Sequence, residues 1–482
     1  MAFRLWLAPV FALSLVASAV VAQPPKPRNP VEERLKAGRL EVPDGVDSGK
    51  FNQMRLGTIS LENPTDAERA VLEGKAKQLV YPVTHFEYHT NNEAPTAELT
   101  PRPEERTVNR LIADLENQLV IITPGDQGIP APKVDFAREF GKAAVKAIDD
   151  VLAKGPQPIV RMNAIRMLAA VAKSGAPAAT ERLAKLLAEK DKTLPVESLY
   201  FALKGAENAI AAFDPARAAA NQKWVSKDTY HQLVTLVDEV VRKVPQSVID
   251  KTYLPDQPNT GTLTTDPKAA PKPAALTPEQ VDTVQAFRLQ AIRALGKVKT
   301  DVVTDAKGGG TVRTLLTLAR VAANDAGVVP APSQREIAES LIGMANATPV
   351  DRELDLDAQV LAVAMARGVS LFVSDKAAGG AGEGGPASSH WKLYGTKLKS
   401  AFEAWDRAIP KSRLDQGSKS LLTEFSKLAV TQVFDPLSKM NESGVANGLK
   451  KEAVDEWLAK KQGELKANAL YKNSDATKLT PR

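Results

Sequence analysis

The chain contains no cysteine among its 482 residues and only four histidines. The missing thiols exclude disulfides, thiolate metal sites, cysteine nucleophiles and lipid attachment through an N-terminal cysteine. No Gly-x-Ser-x-Gly turn and no phosphate loop occurs anywhere in the sequence. Aromatic residues make up only 5%, which argues against a glycan-binding module built on ring-stacking platforms. After residue 22, no apolar run approaches the ~20 residues that a membrane span needs. Catalytic options therefore narrow to carboxylates, and no spacing singles out any of the 57 Asp and Glu. No catalytic residue and no cofactor is expected.

The first 22 residues, MAFRLWLAPVFALSLVASAVVA, place Arg4 ahead of an apolar run of the length found in an export signal. Ala19 and Ala22 offer two cleavage points. Cleavage after Ala22 is preferred because Gln23-Pro24-Pro25 would then begin the mature chain in an extended conformation. The alternative, a membrane anchor, needs a longer span. A signal here implies a periplasmic or secreted protein whose mature form does not span a membrane. Without disulfides, such a chain must be stable through its hydrophobic core alone.

Net charge is +6, and its distribution is uneven. From Trp391 to Arg482 there are 17 Lys or Arg against 11 Asp or Glu, so this last fifth carries an excess equal to that of the whole chain. Export argues against nucleic acid as the partner of this basic region and favours an anionic envelope surface or an acidic protein. Lysines on an ordinary solvated helical face would give the same composition.

Helix signals dominate the interior. Thr65-Asp-Ala-Glu68, Ser333-Gln-Arg-Glu336, Thr348-Pro-Val-Asp351 and Thr277-Pro-Glu-Gln280 each put a hydroxyl three residues ahead of an acid or amide, the pairing that satisfies free N–H groups at a helix start. In Val281, Val284, Phe287, Ala291, Leu295 and Val298, apolar residues return at three- and four-residue steps, which gathers them on one helical face. Similar stripes predict helices over 134–153, 158–173, 177–190, 195–213, 228–244, 311–324, 333–346, 352–374, 391–408, 418–440 and 450–470. The separators are rich in Pro, Thr and Ala (255–278) or in glycine (377–389, with Lys307-Gly-Gly-Gly310 shorter) and read as long disordered loops.

A repeat underlies the pattern. RMNAIRML at 161–168 and RLQAIRAL at 288–295 share five of eight positions, and LYFALKGA at 199–206 fits more loosely, with Ala202 over Ala164. These residues, Arg161, Ala164, Leu168 and Arg288, Ala291, Leu295, resemble the Arg-x-x-Ala-x-x-x-Leu pattern of the HEAT-repeat family of α-solenoids. The resemblance covers 156–213 and 280–346, and it extends to secreted bacterial proteins with degenerate HEAT-like repeats. It implies an all-α fold, an irregular right-handed superhelix of antiparallel helix pairs. The expected division is a signal peptide over 1–22, a largely irregular segment over 23–60, helical regions over 61–254 and 279–376, loops over 255–278 and 377–389, and a basic helical region over 390–482. The implied function is that of a non-enzymatic scaffold binding a protein or a cell-envelope component.

Three motifs compete with that reading. His85-Phe-Glu-Tyr-His89 would bring its histidines to one face of a helix, or His85, Glu87 and His89 to one face of a strand, and either could seat zinc in a metal-dependent or hydrolytic enzyme. It is not the His-Glu-x-x-His of metalloproteases, and packing of Tyr81, Phe86 and Tyr88 at the start of the helical body accounts for it equally. Gly380-x-Gly382-x-x-Gly385 has the form of a dinucleotide fingerprint but lacks the strand before and the helix start after it. Asp351, Glu353, Asp355 and Asp357 alternate like a calcium loop, yet Leu356 stands where that loop requires glycine.

Overall fold

The computed structural model describes residues 38–89, 107–119, 134–155, 157–188, 196–213, 225–244, 276–298, 302–304, 311–325, 328–347, 357–377, 388–440 and 446–467. Residues 1–22, expected to be an export signal, most of the segments 255–278 and 377–389 expected to be loops, Lys307–Gly310, the Gly380–Gly385 motif and residues 351–356 of the acidic alternation lie outside them.

The fold is all-α apart from one small ribbon. In chain order come α1 (Ser48–Leu56), α2 (Asp66–Val80), α3 (Val108–Leu119), α4 (Val134–Lys154), α5 (Pro158–Ala172), α6 (Pro177–Ala188), α7 (Val196–Ala212) and α8 (Lys227–Arg242). There follow α9 (Pro278–Leu295), strands β1 (Val302–Thr304) and β2 (Thr311–Arg313), α10 (Thr314–Ala322), α11 (Gln334–Ala347) and α12 (Ala358–Ala377). The last elements are α13 (Ser388–Ala408), α14 (Gln416–Ala429), α15 (Asp435–Ser438) and α16 (Lys451–Ala467).

Local chemistry sets the starts. At α2 the Thr65 hydroxyl accepts from the Glu68 N–H at 3.3 Å while the Thr65 N–H donates to Glu68 Oε2 at 2.7 Å. Thr277 and Gln280 form the same reciprocal pair at α9, and Ser333 and Glu336 do so just ahead of α11. Each arrangement satisfies two donors that the first turn leaves without helical partners. Thr348–Asp351 lies outside the described residues.

The helices pack in an alternating order. Each odd-numbered helix from α3 to α13 packs on the next odd-numbered one, and each even-numbered helix from α2 to α12 packs on the next even-numbered one; successive helices also meet across the two series along most of the chain. Small residues permit the closeness. Ala164, Ala202 and Ala291 are all fully buried, and at Gly296 an added Cβ would stand 3.0 Å from the Cα of Gly343, so α9 and α11 touch backbone to backbone. Around these points Leu168, Leu203, Ile292, Leu295 and Leu341 fill the seams. Each such side chain contributes roughly 1.5–3 kcal/mol on burial.

Three features differ from expectation. Residues 311–313 begin the element predicted as a helix over 311–324, but they are strand, because Val312 pairs with Val303 and buries its side chain there. The helix predicted over 418–440 is interrupted by a π turn, Val430–Phe434, ahead of Pro436. Proline cannot donate to a preceding carbonyl and its ring crowds the residue four back, so the turn widens, and the Gln432 carbonyl accepts instead from the Lys450 N–H at 2.9 Å. Finally, the segment expected to be largely irregular over 23–60 carries α1, capped by Asp47. There Phe51 meets Phe136 and Phe140 edge to face at 5.4 and 5.2 Å.

Candidate functional site

His85, Glu87 and His89 lie on neither an α-helix nor a strand. Pro82 starts a 3-10 turn (Tyr81–Thr84), His85 is extended, and a second turn (Phe86–Tyr88) follows. His85 Nε2 lies 2.9 Å from the Leu40 carbonyl and His89 Nε2 lies 2.7 Å from the Val83 carbonyl, while Glu87 faces Arg39 at 3.7 Å. The Leu40 N–H donates to the Thr84 hydroxyl, and the Tyr81 hydroxyl donates to Asp150 at 2.6 Å. The loop thus pins residues 39–40 against α4. Burial lowers the His89 pKa, and its bond to the Val83 carbonyl only partly offsets this. No group of three or more His, Cys, Asp or Glu gathers to hold a metal ion among the described residues. Asp357, the described member of the acidic alternation, accepts from the Gln359 N–H at 2.8 Å at the start of α12.

Of the remaining histidines, the His231 carbonyl accepts from the Thr235 hydroxyl within α8. His390 lies against Tyr394, with ring centres 4.9 Å apart, and its Nε2 is buried without a hydrogen-bond partner. Burial and the neighbouring Arg335 charge lower its pKa to about 4, so the ring is neutral across the physiological range.

The most developed polar constellation was not visible in the sequence, because its residues come from four separate helices. Polar ties run along the odd-numbered series. Arg166 of α5 donates to Asn109 of α3, Asn208 of α7 donates to the Ala169 carbonyl of α5, and Gln290 of α9 donates to Glu207 of α7. Arg288 of α9 pairs with Glu336 of α11 at 2.5 Å, both side chains almost wholly buried. Further along, Arg293 Nε and Nη2, the Tyr394 hydroxyl and Lys397 all reach Glu339 Oε1, at 3.1, 3.0, 3.3 and 3.7 Å.

Between these ties lies a cavity of about 320 Å³ lined by Lys204, Glu207, Arg293, Lys297, Glu339 and Lys397, with Gly296, Gly343, Ile342 and Asn346 completing it. Four cationic residues therefore face two carboxylates. Burial alone would raise the Glu207 pKa, but hydrogen bonds from Lys204 and Gln290, with the charges of Lys204 and Lys297, hold it below the ordinary value. Burial likewise opposes charge on Arg293, and Glu339 outweighs it, raising that pKa. Tyr394 is raised by burial and by Glu339, so its hydroxyl stays protonated. Both carboxylates are thus occupied by cations of the protein itself. The cavity holds no histidine, serine or threonine beside a base, so it offers charge and hydrogen bonds and no activated nucleophile.

A second cavity of about 380 Å³ lies where the starts of α12 and α14 meet α16, lined by Asp357, Asp415, Leu421, Trp457 and Lys461 among others. Its helix starts are closed by their own acids: Asp415 accepts from the Ser418 N–H and hydroxyl, which lower its pKa. No described helix is long and apolar enough to cross a membrane. No protein-family model, no curated protein and no solved structure matches the chain.

Proposed function

We propose that the chain is an exported, non-enzymatic helical-repeat scaffold, a HEAT-like α-solenoid of helix pairs that binds a protein or cell-envelope partner. The observation that carries the reading is the alternating order of contacts, in which each helix packs on the second helix after it through nearly the whole described length. Stacking of that kind builds extended composite faces without requiring any chemical group at a point. The polar ties along α3 to α11 support it further, since they link each of these odd-numbered helices to the next.

A metal-dependent envelope enzyme using His85, Glu87 and His89 is the competing reading. One observation favours it: each histidine directs Nε2 at a backbone carbonyl, as ligating histidines commonly do with their second nitrogen. One preparation tests both. The mature chain, bearing a photo-cross-linker at exposed positions of α9, α11 and α13, is incubated with envelope extract, and the same sample is assayed for metal. A saturable cross-linked protein partner and no bound metal are expected. Stoichiometric zinc that disappears in the His85→Ala/His89→Ala variant would reverse the assignment.

A further inference from the structure

We infer that the groove spanning α7, α9, α11 and α13 receives a short acidic peptide segment of a partner protein, with two partner carboxylates on Lys297 and Lys397 and an adjacent apolar side chain on Ile342 and Leu393. The inference rests on the scaffold reading above and names the chemistry of what the scaffold holds.

Charge makes the first part of the argument. Glu207 is occupied by Lys204 at 2.7 Å and Glu339 by Arg293 at 3.0 Å. Lys297 is exposed and pairs with no carboxylate within 4 Å among the described residues. Lys397 reaches Glu339 only at 3.7 Å, lies over the Tyr394 ring at 5.3 Å, and remains 45% exposed. Four cations against two carboxylates leave the groove with an excess of two positive charges, and Lys297 and Lys397 are the more loosely held of the four. Shape makes the second part. At about 320 Å³ the cavity has room for a few side chains. Leu393, 54% exposed, stands one helical turn before Lys397 and so shares its face of α13 beside the groove.

The helix ends count against a compact, highly charged anion. The groove is lined at the C-terminal end of α9, by Gly296 and Lys297, and at the C-terminal end of α11, by Asn346. Those ends carry partial negative charge, which opposes any anion and a doubly charged one most. Glu207 and Glu339 also stand on the walls. A compact dianion would meet both repulsions at once. Separate monoanionic carboxylates along a peptide reach the two lysines individually and leave the walls undisturbed. The same reasoning disfavours a phospholipid headgroup.

The test uses the mature chain and a fluorescein-labelled octaglutamate peptide, read by anisotropy at low salt. Binding should weaken about tenfold in Lys297→Glu/Lys397→Glu, and as salt rises. It should be unaffected in Lys411→Glu/Lys427→Glu, which makes the same charge change at exposed positions away from the groove. Far-UV circular dichroism and the thermal midpoint establish that both variants are folded. Absent binding by the native chain, equal weakening by the two variants, or groove-dependent binding of anionic phospholipid vesicles in place of the peptide would each overturn the inference. A cross-linked envelope partner retained undiminished by Lys297→Glu/Lys397→Glu would sink the groove and leave the scaffold standing. Loss of every saturable partner in the native chain would sink the scaffold itself.

Discussion

Replacing Arg288 by Met isolates the strongest of the inter-helix ties. The Arg288 side chain is 2% exposed and that of Glu336 is fully buried, with Nε and Oε1 2.5 Å apart. Glu336 Oε2 is held separately, by the Ser333 N–H at 2.7 Å and the Ser333 hydroxyl at 2.8 Å. Methionine keeps most of the apolar stem of Arg288 and removes its charge, which leaves Oε1 as an uncompensated buried anion. Removing one partner of a buried pair costs about 3–5 kcal/mol. The intact bonds to Oε2 place this case near the lower end. Arg288 Nη2 has no hydrogen-bond partner even in the native chain, so the pair is itself incompletely satisfied. Adding Glu336→Gln should therefore restore much of the loss, because a neutral amide oxygen still accepts from Ser333 and leaves no buried charge; about 1–2 kcal/mol of destabilisation should remain.

Global unfolding of so long a helical array need not be two-state, so the readout should be local. Hydrogen exchange of peptides from α9 and α11 measures the opening of those helices. A 3 kcal/mol loss accelerates it on the order of 100-fold. Exchange in Arg288→Met within error of the native chain would refute the reasoning, and so would a double variant that opens faster than the single one.

Titration of His390 supplies a pH dependence. Its folded pKa, about 4, lies below the ordinary 6.5, so the unfolded chain takes up the proton first as pH falls. Stability is held above pH 6.5 and lost toward pH 4, and the partial exposure of the ring leaves on the order of 1–2 kcal/mol of effect. Thermal midpoints measured across that window should fall less in His390→Gln, and superimposable profiles would exclude the ring as the cause. Gly395→Ala should destabilise by about 1–3 kcal/mol in urea unfolding, because its Cβ would stand 2.6 Å from Leu437 Cβ and 2.8 Å from backbone atoms of Leu437 and Ser438. An unchanged midpoint there would mean that α15 moves aside freely. Amino-terminal sequencing of the envelope fraction should find the chain starting at Gln23, and recovery of intact Met1 would remove export from the reading.

What could be read in advance was local in origin. Thr65 with Glu68 and Thr277 with Gln280 act within one turn, and the stripe through Val284, Phe287, Ala291 and Leu295 depends only on helical periodicity, so both survive folding unchanged. The strand at 311–313 depends on a partner at 302–304, and cross-strand pairing does not register in a helical period. The His85–His89 stretch adopts neither of its expected geometries for a related reason. Its spacing has meaning only on a regular element, and Pro82 with the extended His85 breaks it into two short turns. The groove was least legible of all. Lys204, Arg293, Glu339 and Lys397 lie on four helices, and in sequence each is indistinguishable from a lysine, arginine or glutamate on a solvated face.

Glu339 decides whether cohesion and recognition interfere with one another at the groove. Arg293 approaches its Oε1 with two nitrogens at 3.1 and 3.0 Å from a half-buried position, whereas Lys397 stands at 3.7 Å on a flexible exposed stem. An arriving carboxylate would therefore draw Lys397 outward at little cost and leave the α9–α11 tie closed. Lys297 has no carboxylate within ion-pair distance among the described residues and acts on Glu207 only through its longer-range charge, so it gives up little. Structural and recognition roles thus fall on different cations of one cluster. For that reason the Lys297→Glu/Lys397→Glu variant should lose peptide binding with its α9 and α11 hydrogen exchange intact, while Arg288→Met should do the reverse.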